Sequence, residues 1–259
     1  MPHSSIDLKQ TPVDDVEQGK MAKYEVLPID GLSPYLNSSR YENPKEIFKA
    51  SAKELKNLGI ESGRFLDVAC ANGELLYYFL EEFPDFDFTG VDFCQNYIEV
   101  AQQESRLKVV NFICQDFFST QGQYDIVTFH GTMPAFKDFR PPLTKLLDLT
   151  KPGGYLLLTG YFNPYDIDMQ IEFCDSSTSH TENIWRSDYN FHSQKSVSNF
   201  LNDKCEKFSF SEVPMPIDLP FDKGRPHLDS FTFKDADQKI MITNGMNLIL
   251  NDYHLTIKK

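Results

Sequence analysis

The chain has 259 residues, a formal net charge of −13, 41% hydrophobic and 14% aromatic residues, and an isoelectric point near 4.9. That length and apolar content suit one large domain with a filled core, while the negative charge argues against nucleic-acid phosphates or anionic membranes as partners. Five scattered cysteines with no CxxC pair argue against a disulfide framework or a zinc cluster and for a reducing, cytoplasmic setting.

The N-terminal MPHSSIDLKQ lacks the apolar core of a signal peptide, and no apolar run approaches membrane-spanning length. Residues 1–43 read as an N-terminal arm, polar and mobile at first, then irregular with Pro28, Gly31 and Pro34. Residues 44–259 read as one domain. Asn43-Pro44 opens a helix, and Ile47, Phe48, Ala52, Leu55 and Leu58 give it an apolar face. Phe65–Ala69 is a buried strand broken by Asp67. Cys70–Gly73 is a small-residue turn, and a helix starts at Glu74. Backbone N–H groups at such a turn can approach a ligand closely.

Further strands are expected at Phe88–Asp92, Val109–Cys114, Tyr124–His130 and Tyr155–Gly160, with helices over Asn96–Leu107 and Pro141–Leu149. The run Lys151-Pro-Gly-Gly154 reads as a turn. This alternation implies a parallel sheet with helices on both faces. After Gly160 the pattern loosens into cap or insertion segments over about 161–192 and 214–244. A helix over Ser193–Leu201 and a strand over Lys207–Val213 separate them. Phe231–Lys234 and Lys239–Thr243 can pair as a hairpin, and Met246–Leu250 or Tyr253–Lys258 supplies a last strand.

In this order the features resemble the class I S-adenosylmethionine-dependent methyltransferases. The family's glycine-rich first motif corresponds to Asp67-Val-Ala-Cys-Ala-Asn-Gly73, and its acid at the end of the second strand to Asp92. Its acid after the third strand, followed by an aromatic, corresponds to Asp116 and Phe117. Its fourth-strand pattern is Tyr124-Asp125-Ile-Val-Thr-Phe-His130, and its turn before the fifth strand is Lys151–Gly154. The resemblance implies a Rossmann-like α/β fold: seven strands, mostly parallel, with an antiparallel last strand.

It also implies S-adenosylmethionine as cofactor, on Asp67, Ala69, Cys70, Ala71, Asn72, Gly73, Asp92, Phe93, Asp116, Phe117, His130 and Gly131. The chemistry of each position is plain. A carboxylate at Asp92, twenty-five residues after Asp67, can accept both ribose hydroxyls. Phe93 can lie along the adenine, Asp116 can accept from its amino group, and the Phe117 N–H can reach a ring nitrogen. Asp67 would stand near the ammonium, and His130 and Gly131 beside the methionine portion. Asp125, at a strand start, reads as structural.

Two usual glycines are Ala69 and Ala71 here. Each adds a methyl that is tolerable at negative φ and costly at positive φ. The missing glycines also count against a dinucleotide, whose pyrophosphate needs close backbone approach. No Asn-Pro-Pro-Tyr or Asp-Pro-Pro-Tyr motif follows the fourth strand, so the signature for base-amino methylation is absent. The expected acceptor is a small polar metabolite, a sugar or secondary metabolite, held by Tyr161, Asn163, Trp185 and His192. His130 and His192 are the candidate bases, and no metal is expected. Methylation of a protein side chain, or a non-catalytic module with the same fold, are the alternatives.

Overall fold

The structure, a computed structural model, describes residues 41–174, 185–187, 189–221 and 230–259. Its first half alternates α1 (Glu46–Asn57), β1 (Ser62–Val68), α2 (Glu74–Glu82), β2 (Asp85–Asp92), α3 (Gln95–Gln103), β3 (Asn111–Cys114), β4 (Tyr124–His130), α4 (Arg140–Leu149) and β5 (Thr150–Gly160). Then come β6 (Phe162–Asn163), β7 (Glu172–Phe173), β8 (Arg186–Ser187), β9 (His192–Ser193), α5 (Gln194–Leu201) and β10 (Lys207–Glu212). The chain closes with β11 (Phe231–Lys234), β12 (Ile240–Thr243) and β13 (Tyr253–Lys258).

Seven strands form one sheet in the order β10-β13-β5-β4-β1-β2-β3. All run parallel except β13, which is antiparallel to both of its neighbours. Chain order reverses between β1 and β4, so a crevice opens at the carboxyl ends of those strands. Side-chain alternation divides the core. Leu66, Val68, Val127, Phe129, Leu156 and Leu158 face α4 and α5. Phe65, Ile126 and Leu157 face the other way, onto Phe48, Ala52 and Leu55 of α1 and onto α2 and α3. α1 earns its place through one apolar stripe, with Ser51 set among Phe48, Ala52 and Leu55.

Several boundaries differ from expectation. β2 begins at Asp85, because Phe86 and Phe88 both bury side chains on the α1 face. The helix expected over Asn96–Leu107 stops at Gln103. Glu104 is extended there and its carboxylate accepts from Arg106 N–H, capping a 3₁₀ turn over Ser105–Val109. That turn also shortens β3 at its start. Lys151–Gly154 is not a separate turn. β5 starts at Thr150, which pairs with Tyr124, and pairing resumes at Tyr155 opposite Ile126, so the four residues between form an irregularity within the strand. Gly154 has no room for a side chain, since a Cβ would meet Asp125 O at 2.7 Å. Met246–Leu250 forms no strand, only an isolated bridge from Ile249 to Thr243.

Of the expected arm, only Tyr41–Asn43 lie among the described residues. Tyr41 is buried and stacks on Tyr77 of α2 at 4.6 Å. Beyond the sheet, β6 pairs with β9, β7 with β8 and β11 with β12. Phe191, Ile242 and Leu250 form a third apolar cluster, with Tyr161, Tyr189 and Met215 against it. Among the described residues no helix is long and apolar enough to cross a membrane.

Candidate active site

The loop between β1 and α2 is left-handed at every second residue. Ala69 has φ 58°, Ala71 φ 48° and Gly73 φ 80°. The alanines therefore keep the backbone that glycine would adopt freely, at a cost of about 1–2 kcal/mol each. Ala69 packs its methyl against the α4-side core, away from the loop's outer surface. Cys70 N–H donates to Val91 O at 3.1 Å and Gly73 N–H to Cys70 O at 2.8 Å, fastening the loop to β2 and to itself. The Asn72 side chain is fully buried and neither of its amide atoms has a hydrogen-bond partner among the described residues. An unpaired buried amide costs about 1–3 kcal/mol. Strain and an unpaired polar group in one loop are the marks of a site shaped for something other than stability. Buried Glu74, at the first turn of α2, meets the Lys45 ammonium at 3.1 Å.

Asp92 ends β2 beside this loop. Its Oδ2 accepts from Ala71 N–H at 2.9 Å and its Oδ1 from Cys94 N–H at 2.8 Å. Burial pushes its carboxyl up, and the N–H groups of Cys94, Ala71 and Phe93 hold it down. Each carboxylate oxygen keeps lone-pair capacity for a further donor. Phe93, the next residue, is 43% exposed although aromatic. Asp116 is exposed and its Oδ1 accepts from Phe118 N–H at 3.0 Å, capping a 3₁₀ turn. The Phe117 ring is buried against Phe129 and Phe136. Asp67 is buried and accepts from Thr128 Oγ1 at 2.8 Å. Burial, opposed by that bond, pushes its carboxyl up to about 7.

The two candidate bases do not meet. His130, at the end of β4, faces α1: its ring centroid lies 6.3 Å from Phe48 and its Nε2 3.0 Å from Ser51 Oγ. Its Nδ1 lies 3.3 Å from Thr159 Oγ1. His192 is buried on the other side, 5.2 Å from Phe139 of the α4-side core, and its Nε2 has no hydrogen-bond partner among the described residues. Burial lowers both, His130 the further. Asn163 spends its amide on the loop around it, donating to Ile167 O and accepting from Tyr165 N–H. Tyr161 stacks on Phe191 at 5.4 Å, and Trp185 is 65% exposed. Asp125 accepts from Arg64 N–H at 2.8 Å and pairs with Lys151, a structural clamp at the far end of the sheet. Residues 175–184, 188 and 222–229 of the two expected cap segments, His180 and His227 among them, lie outside the described residues.

Sequence reasoning missed Ser51 and His254, which approach each other at 2.9 Å under the sheet. Their only signal was a polar residue at a core position of an otherwise apolar stripe. A cavity of about 250 Å³ also opens at the carboxyl edge, between β10, β12 and β13, with Met215, Ile242, Leu250 and Asp252 in its wall. Burial raises the Asp252 carboxyl to about 6. Among the described residues no cluster of His, Cys, Asp and Glu could hold a metal ion.

A family model described as a methyltransferase domain matches residues 61–204. The chain is 28% identical over 102 residues to a malonyl-[acyl-carrier protein] O-methyltransferase of Bacillus cytotoxicus, covering 39% of this chain and 36% of the relative. The match thus spans well under two thirds of that relative's length. Among solved structures, the 1,6-didemethyltoxoflavin-N1-methyltransferase of Burkholderia thailandensis, with bound 1,6-didemethyltoxoflavin and S-adenosylhomocysteine, superposes with a TM-score of 0.55. It is 15% identical, over 98% of this chain and 93% of that one. The plantazolicin methyltransferase BpumL, in complex with a desmethyl analogue and S-adenosylhomocysteine, gives a TM-score of 0.52 at 14% identity, covering 86% of each chain. At these identities the solved structures share the fold.

Proposed function

Because the chain belongs to the class I S-adenosylmethionine-dependent methyltransferases, we propose that it methylates a small polar metabolite bound under the segments 161–192 and 214–244. The observation that carries the reading is the strained loop at Ala69–Gly73, hydrogen-bonded through Ala71 to the Asp92 carboxylate at the switch point of the sheet. The residues fit the cofactor. The loop supplies left-handed backbone and an unpaired buried amide. Phe93 offers an exposed aromatic face, and beside Gly131 an added Cβ would meet nothing within 4 Å.

In this reading Asp92 takes the ribose hydroxyls on its remaining lone pairs, and Phe93 lies along the adenine. Asp116 offers the adenine amino group the oxygen that Phe118 leaves. Asp67 faces the cofactor's ammonium, which would draw its raised carboxyl back down. The bound sulfonium supplies an electrophilic methyl for in-line displacement. The protein's part is to align the acceptor and keep water out. The Tyr161 ring and exposed Trp185 are the aromatic contacts for the acceptor, while Asn163 shapes the loop between them. His130 is the base at the strand end nearest the loop. Buried His192 supports the wall from the other side.

Calorimetry with S-adenosylmethionine tests the reading. Binding in the micromolar range is expected, and no heat from demonstrably folded protein would sink it. Screening sugar nucleotides, amines and peptides for S-adenosylhomocysteine release then identifies the acceptor class. Turnover on peptides alone would replace the metabolite with a protein side chain.

A further inference from the structure

A polar chain crosses the α1-side core beneath the proposed base. In register, His130 of β4 lies opposite Thr159 of β5, and Thr159 opposite His254 of β13. Ser51 of α1 bridges the two rings, 3.0 Å from His130 Nε2 and 2.9 Å from His254 Nε2. His254 Nδ1 lies 3.2 Å from Thr256 Oγ1, which donates to Glu54 Oε1 at 3.0 Å. Ser51 and Thr159 are fully buried, His254 and Thr256 nearly so, and Glu54 is half-buried at the outer end.

The direction of every bond in this chain follows from its last member. A carboxylate only accepts, so the Thr256 proton goes to Glu54, and Thr256 Oγ1 must accept from His254 Nδ1–H. A neutral imidazole has one N–H, so His254 Nε2 is bare and accepts from Ser51. Ser51 then accepts from His130 Nε2–H, which leaves His130 Nδ1 bare. Thr159 agrees: its oxygen accepts from Gly131 N–H at 3.2 Å, so its own proton can turn to Nδ1. Burial keeps both rings neutral, lowering His254 to about 4 and His130 well below the usual histidine range.

We propose that Glu54, Thr256, His254 and Ser51 are positioning residues that fix His130 with Nδ1 as its proton-accepting atom and lead the accepted proton out of the core. The proton's source rests on the methyltransferase reading; the tautomers do not. A lone buried histidine is a poor base, because an imidazolium there is heavily penalised. The chain removes that penalty. As Thr159 turns its proton away and Nδ1 takes the acceptor's proton in its place, Nε2 gives its own to Ser51, Ser51 gives its to His254 Nε2, and His254 Nδ1–H passes to Thr256. Thr256 protonates Glu54, which loses the proton to water. One proton enters, one leaves and both rings stay neutral. After product release His130 Nδ1 loses its proton to water, Glu54 takes one back, and the reverse shift along the chain restores the starting tautomers.

The test is ¹⁵N–¹H correlation NMR of the full chain, histidine-labelled, without cofactor at pH 7. The expected result is Nε2–H on His130 and Nδ1–H on His254. Either proton on the opposite nitrogen overturns the proposal, with no variant needed. Thr256→Val, which removes the link to Glu54, is expected to give mixed tautomers at both rings; an unchanged His130 overturns the chain. With an acceptor in hand, Ser51→Ala should lower kcat by at least about tenfold, toward the range of general-base catalysis, at unchanged cofactor affinity. Unchanged kcat in that variant refutes the proton path. Failure of the methyltransferase reading would instead appear as absent cofactor heat, with the tautomers intact.

Discussion

Replacing Ala69 and Ala71 by glycine separates backbone strain from packing. Both alanines hold left-handed backbone, φ 58° and 48°. Ala71→Gly should relieve about 1–2 kcal/mol of strain, offset by about 0.4–1 kcal/mol of added freedom in the unfolded chain. The net gain is roughly 0.8 kcal/mol. Ala69→Gly gains less, because its methyl packs on the α4-side core. Losing a half-buried methyl costs about 0.4 kcal/mol, taking half the value of a fully buried methylene. The double variant should therefore unfold roughly 1.2 kcal/mol harder, or about 3 °C higher. Urea denaturation with the m-value checked for constancy measures it. A double variant less stable than the parent would refute the strain account. Equal gains at the two sites would refute the assignment of the Ala69 methyl to the core.

Asp92→Ala should weaken S-adenosylmethionine binding at least roughly tenfold, on the order of 1.5–3 kcal/mol for a charged hydrogen bond, as read by calorimetry; unchanged affinity removes Asp92 from the site. Asp67 is held protonated by burial up to about pH 7, whereas unfolded it ionises near pH 4. Its folded form is thus favoured at low pH and progressively penalised as pH rises between those values, by ~1.4 kcal/mol per pH unit. Asp67→Asn should gain on the parent by ~2–3 kcal/mol between pH 5 and pH 8 in urea titrations, and a pH-independent difference would contradict the raised carboxyl. Asp125→Ala should cost about 1 kcal/mol by freeing Arg64 N–H and Lys151, yet leave cofactor affinity unchanged in calorimetry.

The sheet was legible because its strands are short apolar runs ended by an acid or a turn. Tyr124–His130 falls where the pattern puts it, and Glu74 starts its helix. The residues that deceived did so for local reasons. Lys151-Pro-Gly-Gly154 has the composition of a turn, but Tyr124 and Thr150 pair before it, so the same residues bulge within a strand. Phe86 lies outside the strand expected at Phe88–Asp92, and its place in the α1-side core makes it strand. At the site, the loop and Asp92 were named through the family resemblance, but whether two alanines adopt positive φ is decided by the hydrogen bonds from Cys70 and Ala71 to β2. Ser51 and His254 are 203 positions apart, and nothing local to either announces the other.

The insertion of β13 between β5 and β10 fixes an order of events during synthesis. A nascent chain that ends before Tyr253 has β5 as a bare edge, and β10 has no strand beside it, because both of their partners are residues 253–258. The anchorage of Gly153 and Gly154 to Lys259 is missing as well, since Gly153 N–H donates to Lys259 O and Lys259 N–H to Gly154 O. The left of the sheet, β1 to β4, can assemble while the ribosome is still working. The right side closes only once residues 253–258 have been made, and the same event delivers His254 and Thr256 to Ser51.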